Sequence, residues 1–292
     1  MALWAVLPLA LQGVLRQLDP ATLTWFRFVF SSLALAAFLG ARGRLPALRA
    51  LGRVGWLLLG VATLGLAANY IAYLVGLAHT GEASAQVLIQ MAPILLSLGG
   101  IAVFGERYTR LQWLGLAVLV AGLALFSWGQ LSALAAHAER YRAGVALMGF
   151  AAVTWAGYGL AQKQLLHHLA APGLMLLIYV GCALCFTPFA RPAALARLDA
   201  PTFALLVFCA ANTLLAYGAF AAALSHWDAS RVSAVLSLGP PTTLALAWLA
   251  EQLLAGRVVA EPVARGSLVG TALVVAGSLA SSLGGRRASS AG

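Results

Sequence analysis

The chain has 292 residues, of which 62% are hydrophobic and 9% charged, with a mean hydropathy of +0.92. A soluble domain carries about 25% charged residues, so a water-soluble fold is excluded. The net charge of +10 does not point to nucleic acid: Arg42, Arg44, Arg49 and Arg53 gather between apolar runs, where basic residues orient a polytopic membrane protein.

Apolar spans follow in chain order near 2–18, 20–40, 54–77, 82–104 and 110–129, then 143–168, 171–190, 201–224, 228–253 and 264–284. A helix needs about 20 residues to cross a bilayer. Lipid offers the backbone no hydrogen-bond partner, so each span is expected to be helical. The alternating pattern of a membrane β-barrel is absent from the sequence. The first stretch lacks a basic leader and runs straight into a second span, so no cleavable signal peptide is expected. The connections are short and leave no room for a soluble domain. The Arg-rich 41–53 loop, with Arg107, Arg110, Lys163, Arg231, Arg286 and Arg287, outweighs the basic residues of the opposite side. That bias places both termini in the cytoplasm. Cys182, Cys185 and Cys209 lie inside apolar runs, and the C-x-x-C of Cys182 and Cys185 reads as packing rather than redox or metal chemistry. No metal site and no cofactor are expected. There is no Walker A loop to hydrolyse ATP.

The chain also repeats itself. Ala67-Ala68-Asn69 is matched by Ala210-Ala211-Asn212, Ala72-Tyr73 by Ala216-Tyr217, and His79 by His226. The run from Gly115 to Gly122 is matched by the run from Gly270 to Gly277. The separation between matching residues drifts slowly upward, as two copies with unequal loops require. Five spans per copy divide the chain into residues 1–134 and 141–285. An odd number of spans makes the second copy insert upside down, which gives inverted repeats about a pseudo-two-fold axis in the membrane plane. Trp4 and Trp155 then begin equivalent helices, with Pro20 answering Pro172, and the first span is short at its start.

The second part of each copy carries a motif set. In the first copy it is Pro93, Gly105-Glu106-Arg107, Gln112-Trp113-Leu114-Gly115 and Val120-Ala121-Gly122. In the second it is Pro240-Pro241, Ala250-Glu251, Gly270 and Val275-Ala276-Gly277. Pro20 with Arg27-Phe28 marks the second span. Over nearly its whole length the chain resembles the EamA-type transporters of the drug/metabolite transporter superfamily. It departs from that pattern at Ala250, at Tyr179 where Arg27 has its counterpart, and in a longer connection before the last span. Within the superfamily, the aromatic content of its spans is similar to YddG-type aromatic amino acid exporters. The resemblance implies an all-α polytopic membrane protein with ten transmembrane helices in two inverted five-helix repeats. It also implies alternating-access export of aromatic or other neutral amphipathic amino acids, or related metabolites, across a bacterial inner membrane. Such a protein acts as a monomer, with a small-molecule substrate and the lipid bilayer as partners. A drug or other metabolite exporter of the same fold is the alternative. A polytopic enzyme would need clustered acids or histidines, whereas Glu139, Asp199, Asp228 and Glu261 are scattered. A channel would need a ring of like charges or a filter loop.

Polar groups inside a membrane are costly, so each is a candidate for function. Asn69 and Tyr73 share one face of the third span, and Tyr70 borders it. Asn212 and Tyr217 fall on neighbouring faces of the eighth. An inverted pair of such helices presents two amides and two phenols to a shared cavity between the halves; interhelical bonding that only holds the bundle is the other reading. Gln86 and Gln90 stand one turn apart, with Ser97 beyond them. Pro93 on the same helix frees a backbone carbonyl. Ser230, Ser233 and Ser237 occupy the matching helix, where close packing of small residues serves equally. Trp155 and Tyr158, with Gln162 a turn on, can stack on an aromatic solute and still hydrogen-bond. Trp4 is their counterpart, with interfacial anchoring as its other reading. Trp113, Trp128 and Trp248 read as lipid-facing or interfacial. Lys163 reaches either a substrate carboxylate or the cytoplasmic rim. His79 and His226 sit at span ends. Glu106 and Glu251 read as structural, pairing with Arg107, Arg110 or loop amides. No acid falls in mid-span, so gradient-driven exchange or export is expected rather than strict proton coupling.

Overall fold

The computed structural model describes residues 2–46, 51–133, 138–236 and 265–284. Every regular element among them is helical. The helices are α1 (Ala2–Leu15), α2 (Pro20–Ala41), α3 (Arg53–Thr80), α4 (Glu82–Leu88), α5 (Met91–Phe104) and α6 (Arg110–Ala133). They continue with α7 (Ala138–Leu165), α8 (Ala171–Phe186), α9 (Ala200–His226), α10 (Ala229–Leu236) and α11 (Arg265–Gly284). Five helical segments are long and apolar enough to cross a membrane: Pro20–Ala41, Arg53–Thr80, Glu139–Leu165, Ala171–Phe189 and Ala200–His226. Their outward rows carry Leu33, Leu57, Leu64, Leu184 and Leu215, all exposed. Such rows suit hydrocarbon and not water.

The described residues fall into two compact units. One takes residues 9–74 and 154–227; the other takes residues 2–8, 75–153 and those described from 228 onward. In the unit of residues 9–74 and 154–227, α2 packs on α8 and α9, and α8 packs on α9. Two of its helices start in the same way. Asp19 caps α2, accepting from the Thr22 N–H at 2.9 Å and the Thr22 hydroxyl at 2.7 Å. Asp199 caps α9, accepting from the Thr202 N–H at 2.8 Å. Each satisfies amides that a helix start leaves open, and proline in the first turn costs no hydrogen bond. The exposed Asp199 carboxylate also accepts from Gln17 Nε2 at 2.8 Å. That bond first, and the Thr202 bonds second, hold its pKa below the ordinary 3.8. A group with a lowered folded pKa stabilises above its unfolded value and loses that contribution as pH falls through the folded value. Asp199→Ala is therefore expected to lower Tm at neutral pH. The gap from the native chain should close as a detergent-solubilised sample is titrated down through and below 3.8.

Small residues bring helices of this unit close. A Cβ at Gly181 of α8 would stand 2.6 Å from Thr63 Cγ2 of α3. One residue on, the buried Cys182 thiol donates to the Thr63 carbonyl at 3.4 Å. Cys182 is thus a packing group at a helix crossing.

The other unit is built on α6 and α11, which run antiparallel. A Cβ at Gly115 would meet the Ser281 nitrogen at 2.4 Å and the Gly277 carbonyl at 2.7 Å. A Cβ at Gly122 would meet the Val274 nitrogen at 2.6 Å and the Gly270 carbonyl at 2.9 Å. The two backbones touch at Gly115, Gly122, Gly270 and Gly277. The contact is reciprocal: Gly115 meets the counterpart of Gly122, and Gly122 meets the counterpart of Gly115. Beside this seam Val87, Ile94, Leu119, Leu123, Phe126 and Val274 form a buried apolar cluster.

The span expected over 82–104 is two helices. α4 ends at Leu88 and α5 begins at Met91. The cause is Pro93, whose ring excludes the carbonyl four residues back, that of Ile89, from a helical ladder. That carbonyl instead accepts from the Ala92 N–H at 2.9 Å in a tight turn. Gln86 and Gln90 therefore do not share one continuous helix. α5 ends on Gly105 at φ 68°, a left-handed cap that only glycine adopts without strain. The turn aims Glu106 at the start of α10, where its carboxylate accepts from the Ala229 N–H at 2.9 Å and the Ser230 N–H at 3.1 Å. Main-chain amides are one of the partners expected for Glu106. Of the ninth span, 229–236 is helical. Ser237, Pro240, Pro241, Trp248, Ala250 and Glu251 lie outside the described residues.

Candidate functional site

Rings from α2, α3, α7, α8 and α9 form a continuous buried chain in the unit of residues 9–74 and 154–227. Trp155 of α7 packs on Phe220 of α9, ring centroids 4.9 Å apart, and lies 6.4 Å from Tyr158. Tyr158 reaches Phe220 and Tyr217, each at 6.1 Å. Tyr217 meets Tyr70 of α3 at 5.6 Å. Tyr70 meets Phe28 of α2 at 4.6 Å, and Phe28 reaches Tyr179 of α8 at 6.1 Å. The helical pitch explains the set on α9. Thr213, Tyr217 and Phe220 follow at four and three residues and so share a face.

Arg27 of α2 stands against this chain and is only 2% exposed. Its Nε donates to Thr213 Oγ1 at 2.9 Å, and its guanidinium lies 4.7 Å from the centroid of the Tyr70 ring. The Thr213 hydroxyl donates in turn to the Cys209 carbonyl at 2.9 Å, and the Tyr179 hydroxyl donates to the Thr213 carbonyl at 3.0 Å. Thr213 is the midpoint of α9, so the cation is held deep in a spanning segment. Tyr70 and Thr213 are repeat counterparts, and Arg27 bridges them.

Of the expected site residues, Trp155, Tyr158, Tyr217 and Tyr70 come together in the ring chain. The phenol facing Tyr217 is thus Tyr70, whereas Tyr73 is half-buried on α3. Asn69 and Asn212 are both buried, at mid-helix in α3 and α9. Gln162 is fully buried and donates from Nε2 to Met175 Sδ at 3.0 Å. Lys163 follows it, half-buried. Trp4 and Gln90 belong to the other unit: Trp4 is half-buried in α1, and Gln90 is buried at the turn between α4 and α5. The Gln86 side chain lies outside the described residues. Sequence reasoning takes Arg27 and Phe28 only as motif marks and misses Phe220. The signal for Arg27 is its charge inside an apolar run, which is a functional hypothesis in itself.

Comparison with known proteins agrees with this architecture. The model of the EamA-like transporter family matches residues 1–128 and 142–283. A relative from Escherichia coli (strain K12), the uncharacterized inner membrane transporter YhbE, is 36% identical over 252 residues, covering 84% of this chain and 78% of that one. An uncharacterized transporter from Haemophilus influenzae is 31% identical over 281 residues, covering 96% and 91%. A protein crystal structure at 21% identity has a TM-score of 0.70, covering 98% of this chain and 95% of the other, a likeness of fold alone. The chain belongs to the EamA-like transporter family, and is a membrane transporter and not an enzyme.

Proposed function

We propose that the chain exports amino acids, aromatic ones foremost, or related neutral amphipathic metabolites, by alternating access. The supporting observation is the continuous ring chain from Trp155 to Phe28 on spanning helices. Indole and phenol rings offer an apolar solute stacking surfaces and retain hydrogen-bonding edges. The buried amides of Asn69 and Asn212 supply uncharged polar contacts beside it. Tyr73 and Lys163 are proposed as further contacts, with Trp4, Gln86 and Gln90 elsewhere on the transport path. Ten helices in two inverted repeats, residues 1–134 and 141–285, with both termini cytoplasmic, complete the reading. The reciprocal contact of Gly115 and Gly122 with Gly277 and Gly270 supports a two-fold relation between the copies. The inner-membrane relative supports that location. The protein works as a monomer, and transport follows the solute gradient.

The test is uptake of labelled phenylalanine, threonine and a cationic dye into proteoliposomes, with and without a pH gradient. Phenylalanine flux without the gradient is expected, and Trp155→Ala should lower it about tenfold, the equivalent of about 1.5 kcal/mol of ring contact. Dye flux without amino acid flux would favour a drug exporter. Flux that requires the pH gradient would overturn the uncoupled mechanism.

A further inference from the structure

The guanidinium of Arg27 is a cation with five N–H donors and no acceptor. One donor is used on Thr213 Oγ1, and the face of the group lies on Tyr70. A buried cation of this kind calls for an anion. Within the unit of residues 9–74 and 154–227, the acids are Asp19 and Asp199. Both serve as helix caps. Asp19 lies about 12 Å along α2 from Arg27, and Asp199 about 21 Å along α9 from Thr213, at 1.5 Å per residue. Neither can pair with Arg27. The Tyr70 hydroxyl is buried beside those of Thr213 and Tyr217, close enough to interact with both, and among the described residues none completes a well-aligned hydrogen bond to it. A second polar group, with an O–H to donate, thus stands next to the cation.

We propose that Arg27 receives the carboxylate of the transported solute, with the Tyr70 hydroxyl as a second donor. The planar guanidinium fork matches a carboxylate in two parallel bonds. The neighbouring rings of Phe28, Tyr70 and Tyr217 then face the apolar part of the same molecule. This rests on the transport reading only in that the occupant is the transported solute; it does not require an amino group. The site selects for a carboxylate and against an amine, which would bring a second cation to Arg27. The other role open to Arg27 is a pin that ties α2 to α3 and α9. A pin would be indifferent to the charge of the solute.

The test is the thermal shift of the detergent-purified full chain with four probes: phenylalanine, 3-phenylpropionate, phenethylamine and 3-phenylpropanol. The native chain is expected to be stabilised by 3-phenylpropionate and phenylalanine and not by phenethylamine. Arg27→Gln should weaken apparent affinity for the two carboxylates about tenfold or more, the scale of a lost charge-assisted pair. Affinity for 3-phenylpropanol should change little. Arg27→Lys should keep part of the carboxylate preference. Thr213→Val, which removes the hydroxyl that orients Arg27, should reduce that preference severalfold and carries the test if Arg27→Gln fails to fold. A native chain that binds no carboxylate probe overturns the proposal, as does an Arg27→Gln or Thr213→Val chain with unchanged preference. Binding of 3-phenylpropionate without phenylalanine upholds the Arg27 site while the amino acid reading fails.

Discussion

Gly115→Ala and Gly277→Ala are each expected to destabilise the chain by about 3 kcal/mol, the upper end of overpacking costs. The added methyl would stand 2.4 Å from a backbone nitrogen in both cases, that of Ser281 for Gly115 and that of Leu119 for Gly277. A flexible side chain could move aside, but a helix backbone cannot. The seam between α6 and α11 must then open along its length, with loss of dispersion contacts that no water-driven effect replaces in a bilayer. Gly60→Ala is the control. It is also a helical glycine, but nothing lies within 4 Å of its added methyl. It should be neutral or stabilise by about 0.5–1 kcal/mol through backbone entropy. Thermal unfolding in detergent separates the cases, and equal Tm values for Gly60→Ala and Gly115→Ala would refute the seam.

Glu106→Ala should cost about 2–3 kcal/mol, because it leaves the Ala229 and Ser230 amides without their charged acceptor. Glu106→Gln keeps one carbonyl oxygen as acceptor and should cost about half as much. Hydrogen exchange gives a local readout: the amides of Ala229 and Ser230 should exchange faster in Glu106→Ala while those in the middle of α9 stay protected. Gly100→Ala should act in the same direction and more weakly. Its methyl would come within 2.9 Å of Glu106 Oε2, the end of a side chain that can shift. Unchanged exchange at Ala229 in Glu106→Ala would remove the capping role.

The sequence shows where helices run because apolar length is a local property. The spans expected from residues 20 and 201 start within a residue of the observed helices, at Pro20 and Ala200. It also shows that the glycine runs after Gly115 and Gly270 are copies. It does not show that they touch, since a row of small residues names no partner. The tight turn at Ile89 and Gln90 is hidden for a different reason. Pro93 is visible, but its steric effect falls four residues upstream, on a carbonyl. At the candidate site, Trp155, Tyr158, Tyr70 and Tyr217 are legible as aromatics in duplicated spans. Arg27 is legible only as a charge inside an apolar run, because its partners, a ring on α3 and a hydroxyl on α9, are set by the fold.

The short helix α4 has a mechanical consequence. It is a rod of seven residues with a joint at each end: Gly81 at φ 82° on one side, the Ile89–Gln90 turn on the other. Bending α3 or α6 would break a continuous ladder of main-chain bonds. Tilting α4 asks only for rotation at Gly81, already outside helical geometry, and at the Ile89–Gln90 turn, where the i to i−4 ladder is interrupted. Compliance in this part of the chain is therefore concentrated at two points, and Gly81→Ala, strained at φ 82°, should reset the angle of the rod before it alters the rod itself.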